Sequence, residues 1–396
     1  MKKFSFILII FLAIHSYSQI QVTDSSKISL ITCSPGKVVY EQFGHTAIRY
    51  QDVLNNTDLM FNYGTFSFNK PGFLARFIKG ETDYELGVYN SVYFFPEYEE
   101  RNSQVTEQEL NLTQEEKQRL LDALLLNYQP ENREYRYNFI FDNCATRPRI
   151  KIEEVLGDEK VVYSEEKTHY KTFRHWIGKY VGFHTWTKFG IDLLLGRGAD
   201  KIATKMEVTF LPEDLMDEFS EAQIKSSSGS WRPLIKSETV LVPKRDEAEP
   251  KQTLLQLPAV VSLIILLIGL MITYVEFVKK RNWKWIDSLL LIITGLAGLI
   301  VFYLMFFSVH PLVQSNFNIL WINPVSAVIG IMLWIKYFNK VTYYFQITNA
   351  LLLLGALIVF FVGIQQINVA SVPLILLLLV RSIFWIYKEK VKLVKG

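Results

Sequence analysis

The sequence predicts an α+β domain exported across a membrane (residues 20–243), a short linker (244–253), and an all-α bundle of five transmembrane helices (254–396). Three observations predict it. Apolar residues make up half of the chain but crowd into its last third, the N-terminus reads as an export signal, and basic residues gather on alternate loops of the apolar third.

Met1-Lys2-Lys3 precede an apolar run, Phe4 to Ile14, that is short for a bilayer, and small residues follow at Ser16 and Ser18. That is the grammar of a secretory signal peptide over 1–19, and an uncleaved anchor would export the next segment equally. Between 28 and 93, short runs of Val, Ile, Tyr, Phe and Thr are punctuated by Ser34-Pro35-Gly36, Asn55-Asn56 and Pro71-Gly72, which predicts a small antiparallel sheet. Thr113 and Glu116 form a capping box, and Leu120, Leu121, Leu124, Leu125 and Tyr128 share one helical face up to Pro130. Residues 150–225 read as helical and irregular, anchored by Trp176, Trp186, Phe189 and Phe210 and broken between Gly190 and Gly198. Ser226 to Ser230 is polar, and the charged stretch Lys244 to Gln252 is the expected linker.

Five apolar segments follow, at about 254–278, 286–309, 319–335, 343–364 and 369–387. Lys279, Lys280, Arg281 and Lys284, then Lys336 and Lys340, then Lys388, Lys390, Lys392 and Lys395 mark one side; the loops His310 to Asn318 and Gln365 to Asn368 carry no Lys or Arg. The positive-inside rule makes the basic side cytoplasmic, which puts the N-terminal domain outside and the C-terminus inside. Gln346, Asn349 and Arg381 are costly in lipid, with Arg381 close enough to the cytoplasmic end to snorkel.

A net charge of +3, with no basic run interleaved with aromatics in the exported part, excludes a nucleic-acid partner. Six scattered histidines, of which only His169 and His175 are close in sequence and lack a carboxylate at ligand spacing, predict no metal site, and no glycine-rich phosphate loop or other cofactor motif is present. Two cysteines, Cys33 and Cys144, are too few for a disulfide framework and leave one bridge as the only pairing available. Cys33, in the apolar run from Ile28, reads as core.

The candidate chemistry lies in Phe43-Gly44-His45-Thr46 and in the run from Tyr137 through Asp142-Asn143-Cys144-Ala145-Thr146. A thiol is mostly protonated at neutral pH, so a nearby imidazole and a helix N-terminus both activate it by favouring the thiolate. Cys144 stands where a helix could begin, and its neighbours Asp142, Asn143, Thr146 and Arg147 predict a solvent-reachable slot. Pro148 either falls in that helix's first turn or starts the helix afresh. A third group normally orients the imidazole; Asn62, and after it Tyr63, lie in the next strand-like run. Backbone N–H groups at or after Cys144 are the expected oxyanion donors. Arg49 reads as a structural or headgroup-facing charge, and His310 either binds a phosphate headgroup or caps a helix.

The order His45 then Cys144, with Asn143 before the Cys, resembles the circularly permuted papain-like group that includes the NlpC/P60 and lecithin:retinol acyltransferase-like proteins. A closer resemblance spans most of the chain. Ser34-Pro35-Gly36, Tyr40, Phe43 to Arg49, Asn62-Tyr63-Gly64-Thr65-Phe66 and Tyr137 to Arg149, followed by several spans with His310-Pro311, Asn316, Asn318 and Leu320-Trp321, are similar to the Lnb family of lipoprotein N-acyltransferases. That resemblance implies transfer of an acyl chain from a membrane phospholipid, through a Cys144 thioester, to the free α-amine of the lipid-modified N-terminal cysteine of lipoproteins. It implies no cofactor. Asn143, Tyr63, Arg49 and His310 would then surround the oxyanion and substrate, and aromatic residues near the linker would shield the thioester from water. Two other readings stand beside it. One is a cell-wall peptidase or amidase of NlpC/P60 type, for which five spans are superfluous; the other is a membrane sensor or scaffold in which Cys144 is structural.

Overall fold

A computed structural model describes residues 20–66, 71–157, 159–163, 171–246 and 253–395. The expected signal peptide, His169 and the middle of the expected linker lie outside the described residues.

The expected small sheet is the centre of a larger one. Strands β1 (Ser26–Cys33), β2 (His45–Asp52), β3 (Thr57–Thr65) and β4 (Asp83–Asn90) pair consecutively, all antiparallel. They are joined by β5 (Val105–Leu110) and β6 (Glu134–Arg136). Strands β7 (Lys160–Val162), β8 (Gln223–Lys225) and β9 (Trp231–Pro233) make a separate sheet, and β10 (Ile235–Val242) returns to the first, giving the order β10-β5-β1-β2-β3-β4-β6. β1 is central and nearly all of its residues are buried, which suits its continuous apolar run, whereas β10 is a mostly exposed edge.

Among the described residues eight helices accompany the strands: α1 (Phe73–Lys79), α2 (Phe95–Arg101), α3 (Gln114–Tyr128), α4 (Thr146–Val155), α5 (Phe173–Val181), α6 (Trp186–Leu194), α7 (Lys205–Val208) and α8 (Pro212–Glu221). The capping box forms as read: Thr113 Oγ1 accepts from Glu116 N at 3.3 Å and Glu116 accepts from Thr113 N at 2.7 Å. Leu120, Leu121 and Leu124 of α3, Ile152 of α4 and Leu215 of α8 pack on one sheet face with Leu30, Ile48 and Phe61. Phe94 and Tyr98 close the other face over Cys33, Ala47 and Met60.

The C-terminal part holds α9 (Pro258–Val278), α10 (Lys284–Phe307), α11 (Val325–Met332), α12 (Asn339–Val362) and α13 (Ser371–Lys395). Among the described residues, four helices are long and apolar enough to cross a membrane. The third expected span, 319–335, is not a full-length helix: a 3-10 turn (Phe317–Leu320) leads to the eight-residue α11. Pro324 is the physical reason, because it lacks an amide proton and disfavours helix in the residue before it. The segment nevertheless runs back along α10. A Cβ on Gly298 would meet Ile322 O at 2.0 Å, one on Gly295 would meet Ala327 N at 2.1 Å, and Lys284 Nζ reaches Leu333 O at 3.4 Å.

Arg381 does not snorkel. It is buried, donating to Asp287 at 2.6 Å and to Glu276 at 2.5 Å. Lys388 of α13 adds a second cation, its Nζ 3.5 Å from Glu276, so that two carboxylates from α9 and α10 meet two cations from α13 where lipid offers no partner.

The two parts are fastened together at two places. Val309 N donates to Lys79 O at 2.8 Å and His310 Nε2 donates to Phe77 O at 2.6 Å, which holds the C-terminus of α1. At the end of α6, Asn316 Nδ2 donates to Leu193 O (2.8 Å), Asn318 Nδ2 to Asp192 O (3.0 Å) and Asn368 Nδ2 to the Asp192 carboxylate (2.8 Å). Asp192 is itself braced by Arg174 and Lys188.

Candidate functional site

Cys144 lies just ahead of α4. Asn143 is buried and ties the turn: its Oδ1 accepts from Ala145 N and Thr146 N, each at 2.9 Å, while its Nδ2 donates to Phe139 O and Phe210 O, each at 2.8 Å. Asn143 thus ties the turn that enters α4, and Cys144 sits just ahead of that helix's first turn, where the helix dipole favours a thiolate. Pro148 falls inside that turn, where its missing N–H costs nothing. Of the polar neighbours, Asn143 and Thr146 are buried and bonded inward, whereas Asp142, Arg147 and Cys144 itself keep partial exposure.

His45 opens β2 and Asn62 lies on β3, two residues diagonally across from it. Asn62 Nδ2 donates to the Tyr89 hydroxyl at 2.7 Å, which turns its Oδ1 toward the ring, and His45 Nε2 donates to that oxygen at 2.6 Å. This leaves Nδ1 as the nitrogen available to the Cys144 thiol, with which His45 is hydrogen-bonded. Gly64 stands beside the pair, in a backbone conformation that favours glycine. Its φ is +95°, and a Cβ there would lie 3.7 Å from Cys144 Cβ and 3.8 Å from His45 Cε1.

The electrostatics point one way. Burial pushes the Cys144 thiol up, but the His45 charge, its hydrogen bond, and the backbone N–H groups of Thr46 and Cys144 bring the pKa below the ordinary value. Burial pulls His45 down, yet Cys144 and Asn62 together raise it. The pair is therefore biased toward thiolate and imidazolium. Cys33 stands opposite His45 in the β1–β2 register; it is a free thiol, fully buried, and burial holds its pKa well above the ordinary value.

Other expected residues are engaged elsewhere. Tyr63 faces the other side of the sheet from Asn62, into the cluster that Cys144 packs against; its hydroxyl donates to Asn127 at 2.7 Å, its ring meets Tyr135 edge-on at 6.3 Å, and burial raises its pKa. Alternation along β3 is the reason, since Asn62 and Tyr63 must face opposite sides of the sheet. Arg49 pairs with Asp58 at 2.6 Å and Glu107 at 3.1 Å across the strands. His310 caps α1.

Sequence reasoning missed Tyr89 and Tyr135. The Tyr135 hydroxyl is buried without a partner, lies 4.0 Å from where a Gly64 Cβ would stand, and its ring packs under Arg147, whose guanidinium is 3.6 Å from the ring centroid and paired with Asp142. An orphaned hydroxyl beside a reactive thiol is the signal, and it exists only in three dimensions. The aromatic residues beside Cys144 are Tyr84, Tyr135 and Tyr137, not those near the linker. Among the described residues no group of three or more His, Cys, Asp or Glu side chains is arranged to hold a metal.

No curated protein and no solved structure matches the chain. Two family models do. Residues 16–175 match the Lnb N-terminal periplasmic domain, and residues 249–392 match the Lnb transmembrane domain. Cys144, His45 and Asn62 all fall within the first, and the loops that grip α1 and α6 fall within the second. With both parts matched in order along one polypeptide, the chain belongs to the Lnb family and is a membrane protein with a periplasmic domain.

Proposed function

We propose that this protein is a lipoprotein N-acyltransferase of the inner membrane with a permuted papain-like catalytic domain in the periplasm, and that Cys144 carries the acyl group. The observation that carries the reading is the bonded series Cys144, His45, Asn62, Tyr89 at a helix start, on a domain fastened to an apolar bundle. In the first half-reaction the Cys144 thiolate attacks an ester carbonyl of a phospholipid. The C–S bond forms, the ester C–O bond breaks, and the His45 imidazolium gives its proton to the departing lysophospholipid oxygen. In the second, the α-amine of a lipid-modified N-terminal cysteine attacks the thioester; the C–N bond forms, the C–S bond breaks, and His45 takes the amine proton as the thiolate leaves. Asn62 holds the ring in register for both transfers.

The oxyanion needs donors that are not already spent. Ala145 N and Thr146 N bond to Asn143, and the Cys144 and Thr46 N–H groups serve the resting thiolate, which leaves the unpartnered Tyr135 hydroxyl, joined by the Cys144 N–H once the sulfur has attacked. Five crossings, with the Phe317–Leu333 segment as a broken third, would set the catalytic domain outside and the Lys-rich loops and C-terminus in the cytoplasm. The return of that segment along α10 supports this path.

The test is mass spectrometry of a reporter lipoprotein's N-terminal peptide from cells in which this chain is the sole source of the activity. Wild type should yield an N-acylated terminus and Cys144→Ser a free amine. Equal termini from both would sink the proposal, as would release of free fatty acid by the wild type with no acylated amine.

A further inference from the structure

A column of aromatic rings leads from Cys144 to the bundle. Tyr84 and Tyr137 pack in the same cluster as Cys144, and besides burial the thiol's charge raises both their phenol pKa values. From Tyr137 the centroids step to Tyr84 (4.1 Å), Phe66 (4.7 Å), Phe73 (5.7 Å), Phe77 (6.0 Å) and His310 (6.1 Å). The first four steps are nearly parallel, with interplanar angles of 12° to 20°. The far end is α1, a helix with no buried residue whose Leu74, Phe77 and Ile78 are 69%, 47% and 41% exposed. Apolar residues clustered and left this open mark a surface that meets another apolar phase. The bonds from Val309 and His310 hold α1 at the outer end of α10, where lipid is the neighbouring phase.

We infer that this column, from α1 to Tyr137, is the track along which the acyl chain of a bilayer phospholipid lies when its ester reaches Cys144. The inference rests on the acyl-transfer reading and adds the route. Ring faces and edges offer a chain continuous apolar contact, the phenol hydroxyls of Tyr84 and Tyr137 being the polar groups of the column, and it ends at the lipid boundary at one end and at the nucleophile at the other. The carbonyl end therefore lies by Tyr84 and Tyr137, and the methyl end trails back past Phe73 and Phe77 toward the membrane.

Full-length Cys144→Ala protein in vesicles of phosphatidylethanolamine and phosphatidylglycerol, doped with phosphatidylethanolamine carrying a diazirine on one acyl chain, tests it. Photolysis and peptide mapping should place a methyl-end diazirine on Phe73–Lys79 and a carbonyl-end diazirine on peptides containing Tyr84 or Tyr137. Adducts confined to α9 through α13, or the same peptides for both probe positions, overturn the track. Because Cys144→Ala cannot react, this readout stands or falls separately from the lipoprotein assay. A second variant guards against misfolding: Phe66→Ser, at a half-exposed position, should slow Cys144 acylation from bilayer phospholipid by up to about tenfold while leaving its alkylation by iodoacetamide unchanged. Equal acylation rates would also overturn the inference.

Discussion

Replacing Asn62 by alanine isolates the positioning of the imidazole from the chemistry of the thiol. The change removes the acceptor 2.6 Å from His45 Nε2 and the donor 2.7 Å from the Tyr89 hydroxyl, leaving two half-buried polar groups short of a partner. Losing one such partner costs ~1–3 kcal/mol, more when the group is charged. If that loss is felt mainly when His45 is an imidazolium, kcat for acylation falls by about 10- to 100-fold with little change in KM. The pH profile supplies the sign. Asn62 helps to raise the His45 pKa, so in Asn62→Ala the imidazolium is lost at lower pH and the alkaline limb moves toward acid. Cys144 depends first on the His45 charge for its lowered pKa, so the acid limb moves toward alkali and the active window narrows from both sides. Asn62→Asp should move the alkaline limb the other way, since a carboxylate favours the imidazolium. The assay is single-turnover acylation of Cys144 across the pH range. Unchanged limbs and a wild-type rate in Asn62→Ala would refute the orienting role.

Removing the imidazole itself by His45→Ala leaves burial to dominate Cys144, so the midpoint of its iodoacetamide alkylation should rise to or above the ordinary thiol pKa of about 8.5; an unmoved midpoint would show that the backbone N–H groups suffice. Tyr135→Phe should cut kcat by about 10²- to 10³-fold, the usual effect of one oxyanion donor, with KM and alkylation unchanged, and a wild-type kcat would remove Tyr135 from the mechanism. A Cβ at Gly196 would lie 1.9 Å from the Gln314 carbonyl oxygen, so Gly196→Ala should loosen the α6 attachment by ~1–3 kcal/mol, seen as faster amide exchange across 193–200. Arg381→Met strands the Glu276 and Asp287 carboxylates and should lower bundle stability by ~3–5 kcal/mol in detergent melting, with most of it recovered on adding Glu276→Gln and Asp287→Asn; identical melting of the single and triple variants would disprove the coupling.

What could be read from the sequence was whatever depends on neighbours along the chain. The capping box at Thr113, the turn grammar between β1 and β4, and the long apolar runs of α9, α10, α12 and α13 are all local. Asn62 was reachable because alternation in one short strand limits which side chain can face a ring on the next. β5 was missed because Val105-Thr-Glu-Gln-Glu-Leu110 is too polar to look like a strand until β10, some 130 residues later in sequence, covers it. Tyr135, the α1 clamp and the Arg381 cluster are long-range pairings, for which composition and periodicity carry no signal. The third apolar segment illustrates the converse error, since its hydropathy is right but Pro324 denies it a continuous helix.

The two attachments at α1 and α6 mean that the position of the N-terminal domain against the bundle is set by side chains and amides and not by the connection preceding Thr253. That connection then contributes little beyond an effective concentration, on the order of millimolar for a short link. Cut there, the two pieces would keep the same mutual geometry wherever their interface is strong enough to form unaided. The height of Cys144 over the lipid is in that sense a property of Asp192, Asn318 and His310, and a longer connection would leave it unaltered.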